Sequence, residues 1–183
     1  VSGKTEVRLA GFGGQGIVLA GNILGKAATL FEGKNAVFTQ SYGPEARGGA
    51  CTADVVISRG RINYPKVIAP EILVLMSEDA KHTYGQIFAD GAMVLTDQDL
   101  VRLDTAPAGC TLRRIPATRL AEELGRAIVA NIVMLGFLAA VTGVVSEDSM
   151  RRAILASIPK GTEDLNVRAF ETGFAYEKEE SAP

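Results

Sequence analysis

The chain has 183 residues, enough for one domain (1–183) with a full hydrophobic core and no need of disulfides or metals. Lys and Arg number 19 against 21 Asp and Glu, a formal charge of −2, so the basic excess of non-specific nucleic-acid binders is missing and no nucleic-acid partner is expected. Hydrophobic residues make up 47%, and the 20 glycines exceed the usual share of about 7%, which points to loops built from backbone.

Val7–Ala10 reads as a short buried strand, followed by a glycine turn and an apolar-periodic helix from Ile17 to about Phe31. Gly33 and Asn35 stop that helix, and Ala36–Thr39 makes a second strand, a βαβ unit for which parallel pairing and a right-handed crossover are expected. The polar loop Ser41–Gly49 then leads to a strand over Cys51–Ser58, a tight turn at Arg59-Gly60, and a returning strand over Arg61–Tyr64. Ile72–Met76 is the continuous apolar run of a central parallel strand, and Ser77 is placed to cap a helix over Glu78–Phe88.

Met93–Thr96 and Thr111–Ile115 repeat the strand pattern. The remainder reads as helices: Ala117–Leu124, Arg126–Thr142, one starting at Ser146 and ending near Pro159, and one from Thr162 toward Tyr176. The expected fold is α/β, a Rossmann-like, open, mostly parallel sheet with helices on both faces and a helical C-terminal region. The charged tail Glu177–Pro183 is expected to fray.

Cys51 and Cys110 lie outside any C-x-x-C pattern and read as free thiols in a reducing cytoplasm, and the one histidine, His82, reads as a surface residue on a helix. Ile128–Val145 carries no charge, but Asn131, Thr142 and many alanines mark it as a buried helix of a globular core rather than a membrane span. The polar opening Val1–Glu6 has no secretory pattern.

Two motifs could carry chemistry. Gly11-Phe12-Gly13-Gly14-Gln15-Gly16 satisfies G-x-G-x-x-G between a strand and a helix, where glycines admit a phosphate or carboxylate to backbone N–H groups at a helix N-terminus. A dinucleotide site also wants an acidic residue about 20 positions on, at the end of the second strand. Here that strand ends in Thr39, Gln40 and Ser41, so the ribose carboxylate is missing. Close strand–helix packing is an equal explanation for these glycines.

The second motif, Ser41, Tyr42, Gly43, Pro44, Glu45, Ala46, Arg47, Gly48 and Gly49, offers a phenol, a carboxylate and a guanidinium after a strand taken as parallel, the side where open α/β sheets bind ligands. Arg47 could clamp a carboxylate or phosphate; alternatively, Arg47 and Glu45 form a solvated pair or a contact between subunits. Neither motif holds an activated nucleophile, and no catalytic or metal-ligating residue is assigned.

Taken together, Gly11–Gly21, Thr39–Gly49, Ala53–Ser58, Ile62–Pro65, Asn131–Gly136 and Asn166–Gly173 resemble the gamma subunit of 2-oxoacid:ferredoxin oxidoreductases, in the form acting on 2-oxoglutarate. The resemblance implies a subunit, inactive alone, of a cytoplasmic multi-chain enzyme that oxidatively decarboxylates a 2-oxoacid, forms an acyl-CoA and passes electrons to ferredoxin. It implies thiamine diphosphate, Mg2+, [4Fe-4S] clusters and CoA in the complex, with thiamine-binding alpha and beta subunits and a ferredoxin-like delta subunit as partners. The role implied for this chain is assembly and closure of the CoA end, with Gly11, Gly13, Gly14, Gln15, Gly16 and the Ser41–Gly49 loop facing cofactor or neighbouring subunits. The alternatives are a stand-alone nucleotide-binding regulatory module, or a gamma subunit serving pyruvate, branched-chain oxoacids or indolepyruvate.

Overall fold

In the computed structural model the described residues are 3–42 and 49–180, with side chains through Tyr176. Six strands form one sheet in the order β2-β3-β1-β4-β5-β6: β1 Lys4–Phe12, β2 Asn35–Tyr42, β3 Ala50–Ser58, β4 Ile72–Leu75, β5 Met93–Asp97 and β6 Thr111–Ile115. The pairs β1–β4, β4–β5 and β5–β6 are parallel, whereas β3 runs antiparallel to both β1 and β2. The expected α/β class with a mostly parallel sheet holds.

Strand alternation divides the core into two layers. Val7, Leu9, Val55, Val74 and Leu95 point to one face, where α1 Ile17–Lys26, α3 Ala117–Glu123, α4 Ala130–Thr142, α5 Glu147–Leu155 and α6 Glu163–Glu180 pack. Ala10, Leu73, Leu75 and Val94 point to the other, covered by α2 Glu78–Tyr84 and by Val101. On that second face Arg8 grips Asp54 of the neighbouring strand through two hydrogen bonds, at 2.8 and 2.7 Å, and donates to the Val67 carbonyl at 2.9 Å. The Asp54 hydrogen bonds raise the Arg8 pKa, so a buried cation is held charged by its partner.

The uncharged segment before Thr142 is α4, buried on every side from Ala130 to Ala139, as a helix apolar all round must be. It crosses α6 at glycines. A methyl group on Gly136 would strike the Phe170 carbonyl and stand 2.8 Å from the Phe174 nitrogen, and one on Gly173 would strike the Val133 carbonyl. No described helix is long and apolar enough to cross a membrane.

Several expectations need correction. β1 and β2 are not hydrogen-bonded neighbours, because β3 enters antiparallel between them: Cys51 lies across from Gly11 on one side and from Tyr42 on the other. The crossover through α1 therefore spans an intervening strand. Arg61–Tyr64 is not a strand, since β2 and β1 already occupy both edges of β3 and leave no free edge for a hairpin.

The first helix widens into a single π turn over Ala27–Phe31, the second stops at Tyr84 where Gly85 follows, and a 3-10 turn over Ala127–Val129 precedes α4. The α6 backbone continues to Glu180, into the segment expected to fray.

Candidate functional site: the glycine turn and its apolar pocket

The turn sits at the end of β1 beside the end of β4, where the chain order of the sheet changes direction and where open α/β sheets form a ligand crevice. Gly14 and Gly16 have φ of 100° and 73°, conformations that side chains rarely adopt. Gly11 is needed for packing, because a Cβ there would stand 2.6 Å from Ile17 Cδ1. Gly13 differs from both: its φ is not positive, and no atom lies within 4 Å of where its Cβ would be. Its backbone is open to approach from outside.

Gln15 fills the crevice. Its Oε1 accepts from the Phe12 N–H at 2.6 Å, its Nε2 donates to the Met76 carbonyl at 2.8 Å, and its own N–H donates to the Phe12 carbonyl at 3.1 Å. The side chain thus bridges the β1 and β4 ends and consumes an amide that a dinucleotide loop would turn toward pyrophosphate. Beyond Gly16, α1 begins with no side-chain cap, and its first intrahelical bond is Ala20 N–H to the Gly16 carbonyl at 2.9 Å. The amides of its first turn are free to meet an anion.

Beside this helix start lies a cavity of about 290 Å3 lined by Leu19, Ile128, Ile132, Ile158, Pro159 and Leu165, with Arg126, Asn131, Thr162 and Asn166. Asn131 and Asn166 are 3% and 6% exposed. Each donates its amide, to the Gly16 carbonyl at 3.1 Å and to the Thr162 carbonyl at 2.9 Å, and neither side-chain oxygen accepts a hydrogen bond from the described residues. Two side-chain carbonyls on largely buried asparagines, at an apolar pocket that Arg126 also lines, suit a ligand that has both an apolar body and donors. Arg126, Asn131 and Asn166 were not singled out as site residues from sequence; the available signal was a lone amide in each helix.

The second motif is only partly described. Ser41 and Tyr42 end β2, with Tyr42 63% exposed, and through β3 they share a sheet end with Ala10 and Gly11. Gly49 is half-buried just before β3. Gly43, Pro44, Glu45, Arg47 and Gly48 lie outside the described residues. The strand leading into this loop is not a parallel neighbour, as expected from sequence, but the antiparallel edge partner of β3.

Elsewhere, burial pushes the Cys51 thiol up, and Cys110 is half-buried; both are free. His82 is exposed on α2, 3.5 Å from Glu78. The two thiols fall short of the four that a [4Fe-4S] cluster takes.

The sheet and its glycine turn define a Rossmann-like α/β domain. More particularly, residues 6–176 match the family model described as pyruvate ferredoxin/flavodoxin oxidoreductase, and the chain belongs to that family. It is 54% identical over 178 residues to a 2-oxoglutarate synthase subunit, KorC, of Methanocaldococcus jannaschii, spanning 96% of this chain and 95% of the relative. It is 36% identical over 183 residues to a ketoisovalerate oxidoreductase subunit, VorA, of Methanothermobacter thermautotrophicus, spanning 96% of this chain but 37% of that one. Among solved structures, the gamma subunit of a keto/oxoacid ferredoxin oxidoreductase from Geobacter sulfurreducens superposes with a TM-score of 0.85 at 39% identity, covering 94% and 95% of the two chains.

Proposed function

We propose that this chain is the gamma-type subunit of a cytoplasmic 2-oxoglutarate:ferredoxin oxidoreductase, which forms succinyl-CoA and reduces ferredoxin only when assembled with thiamine-binding subunits. The observation that carries the reading is 54% identity to a 2-oxoglutarate synthase subunit over nearly the whole of both chains, against 36% for the ketoisovalerate relative. Thiamine diphosphate, Mg2+ and the clusters belong to the partners, namely alpha and beta subunits and a ferredoxin-like delta subunit.

Within the complex, this chain would close the CoA end of the active site. In support, the free first-turn amides of α1 and Arg126 offer donors to phosphate, and the adjacent cavity with Asn131 and Asn166 offers an apolar bed with acceptors for the amide N–H groups of CoA. The open backbone at Gly13 admits a partner or cofactor closely. Arg47 would add a second phosphate clamp from its loop. CoA supplies the thiol that accepts the acyl group; this chain binds and orients it.

The test is anaerobic affinity purification of the chain from its native cell, with assay of electron transfer dependent on 2-oxoglutarate, CoA and ferredoxin. Co-purification of thiamine and iron–sulfur subunits with that activity is expected. Arg47→Ala in the assembled enzyme is expected to raise the KM for CoA; unchanged kinetics and unchanged assembly would remove Arg47 from the site. A lone chain that releases heat on titration with NAD or ATP would favour a nucleotide-binding regulatory module, a reading that the Gln15 bridge opposes.

A further inference from the structure

The two edges of the sheet are built differently. β6, at one end, has five residues, includes Arg113 and Arg114, and is closed by Pro116. Short length, charge and proline are the features by which sheets keep an edge from pairing with other chains. β2, at the other end, runs for eight residues, Asn35-Ala36-Val37-Phe38-Thr39-Gln40-Ser41-Tyr42, with no charged residue, no proline and no break in its register with β3. Among the described residues it pairs on one side alone, so every second residue turns its backbone N–H and C=O outward.

We infer that the β2 edge is a docking strand, and that its occupant is an uncharged extended segment of a partner subunit of the same enzyme, which adds a seventh strand to the sheet. The inference rests on the reading that this chain works inside a hetero-oligomer. Two observations direct it to a partner rather than to a second copy. The family domain occurs as 37% of the longer ketoisovalerate subunit, where it is joined to the rest of a larger chain. β2 also leads straight into the Ser41–Gly49 loop, so a strand laid along it continues toward the proposed CoA end.

Main-chain hydrogen bonds would supply the attachment, and the absence of charge along β2 suits an occupant without charge, since an unpaired ion beside a buried ladder is costly. The small side chains of Thr39 and Ser41 leave the backbone accessible.

Hydrogen exchange followed by mass spectrometry on the assembled enzyme tests this. The outward amides of Asn35–Tyr42 are expected to exchange about a hundredfold more slowly than amides of an open edge. The double variant Thr39→Lys, Ser41→Lys, co-expressed with the other subunits, is expected to lower the share of complexes retaining this chain in native mass spectra, with those retained showing fast β2 exchange. Fast exchange of the outward amides in intact wild-type enzyme would overturn the inference while leaving the functional reading in place. Protection caused by two copies of this chain pairing through β2, seen as a dimer in native spectra, would overturn it as well. Failure to recover any hetero-oligomer would instead remove the functional reading itself.

Discussion

The Asn131 side chain donates to the Gly16 carbonyl at 3.1 Å, tying the first turn of α4 to the glycine turn that opens α1. A Cβ on Gly16 would collide with this same amide, so glycine and asparagine form one joint. Asn131→Ala is expected to cost about 1 kcal/mol, because the Gly16 carbonyl loses one of its two donors and keeps the Ala20 N–H. Denaturant titration of the purified chain reads that loss, and Asn131→Asp, which cannot donate at neutral pH, should lose at least as much.

At the crossing of α4 and α6, Gly173→Ala is expected to be the more damaging of two glycine substitutions. Its added methyl meets the Val133 backbone and lies 2.7 Å from the Val133 carbonyl carbon, where no rotamer change relieves the contact. A loss of about 3 kcal/mol is expected from overpacking. Gly136→Ala, against the Phe170 carbonyl, should follow the same direction, whereas Gly25→Ala on α1, where nothing lies within 4 Å, should be neutral or mildly stabilising. Thermal unfolding of the three variants checks the order.

Gln15→Glu separates the two halves of the Gln15 bridge by charge. A carboxylate still accepts from the Phe12 N–H but cannot donate to the Met76 carbonyl, so an acceptor faces an acceptor at neutral pH. The variant is expected to be less stable than wild type at pH 7 and to recover part of the loss in mild acid, where the carboxyl carries a proton. Gln15→Ala should show no such pH dependence. Denaturation midpoints at pH 5 and 7 distinguish them.

Glu32 joins the end of the first helix to the start of α5: it pairs with Lys34 at 2.6 Å and accepts from the Ser146 N–H at 2.5 Å. Partial burial raises its pKa, but hydrogen bonds from Lys34 and Ser146 outweigh this and hold it below the usual glutamate range. A carboxylate with a lowered folded pKa contributes stability above its unfolded pKa, and that contribution is lost as the pH falls through the folded value. Glu32→Gln is therefore expected to destabilise the chain at neutral pH and to differ least from wild type in acid. Stability curves from pH 7 down to pH 3 would show the two proteins converging.

Much of the element order was legible. Thr111–Ile115 is legible residue for residue, because the run stops at Pro116, and Ser77, expected as a cap, accepts from the Ala80 N–H at 3.2 Å. Pairing was not legible. The run around Val55 and Ile57 announces a strand but not its neighbours, and nothing in its period states that it lies between β1 and β2. Arg61–Tyr64 failed for the same reason, since the pattern of a strand is local and the vacancy it needs is not. Of the site, the glycine turn was visible by its spacing. Its closure by Gln15 and the pocket beside Asn131 depend on Met76, Gly16 and Asn166, contacts that arise only once distant segments pack.

β3 standing between β1 and β2 has a consequence for how the chain is made. β1 is one of the most central strands, yet both of its partners come later in the chain, β3 ending at Ser58 and β4 at Leu75. At about 5–20 residues per second, the nascent chain carries an apolar strand with two open sides for an interval of seconds. During that interval Val7, Leu9 and Ala10 can be shielded only by α1 or by a chaperone. Slowing translation just before Ile72 should prolong it, and raise the fraction of chains lost to aggregation before the sheet can close.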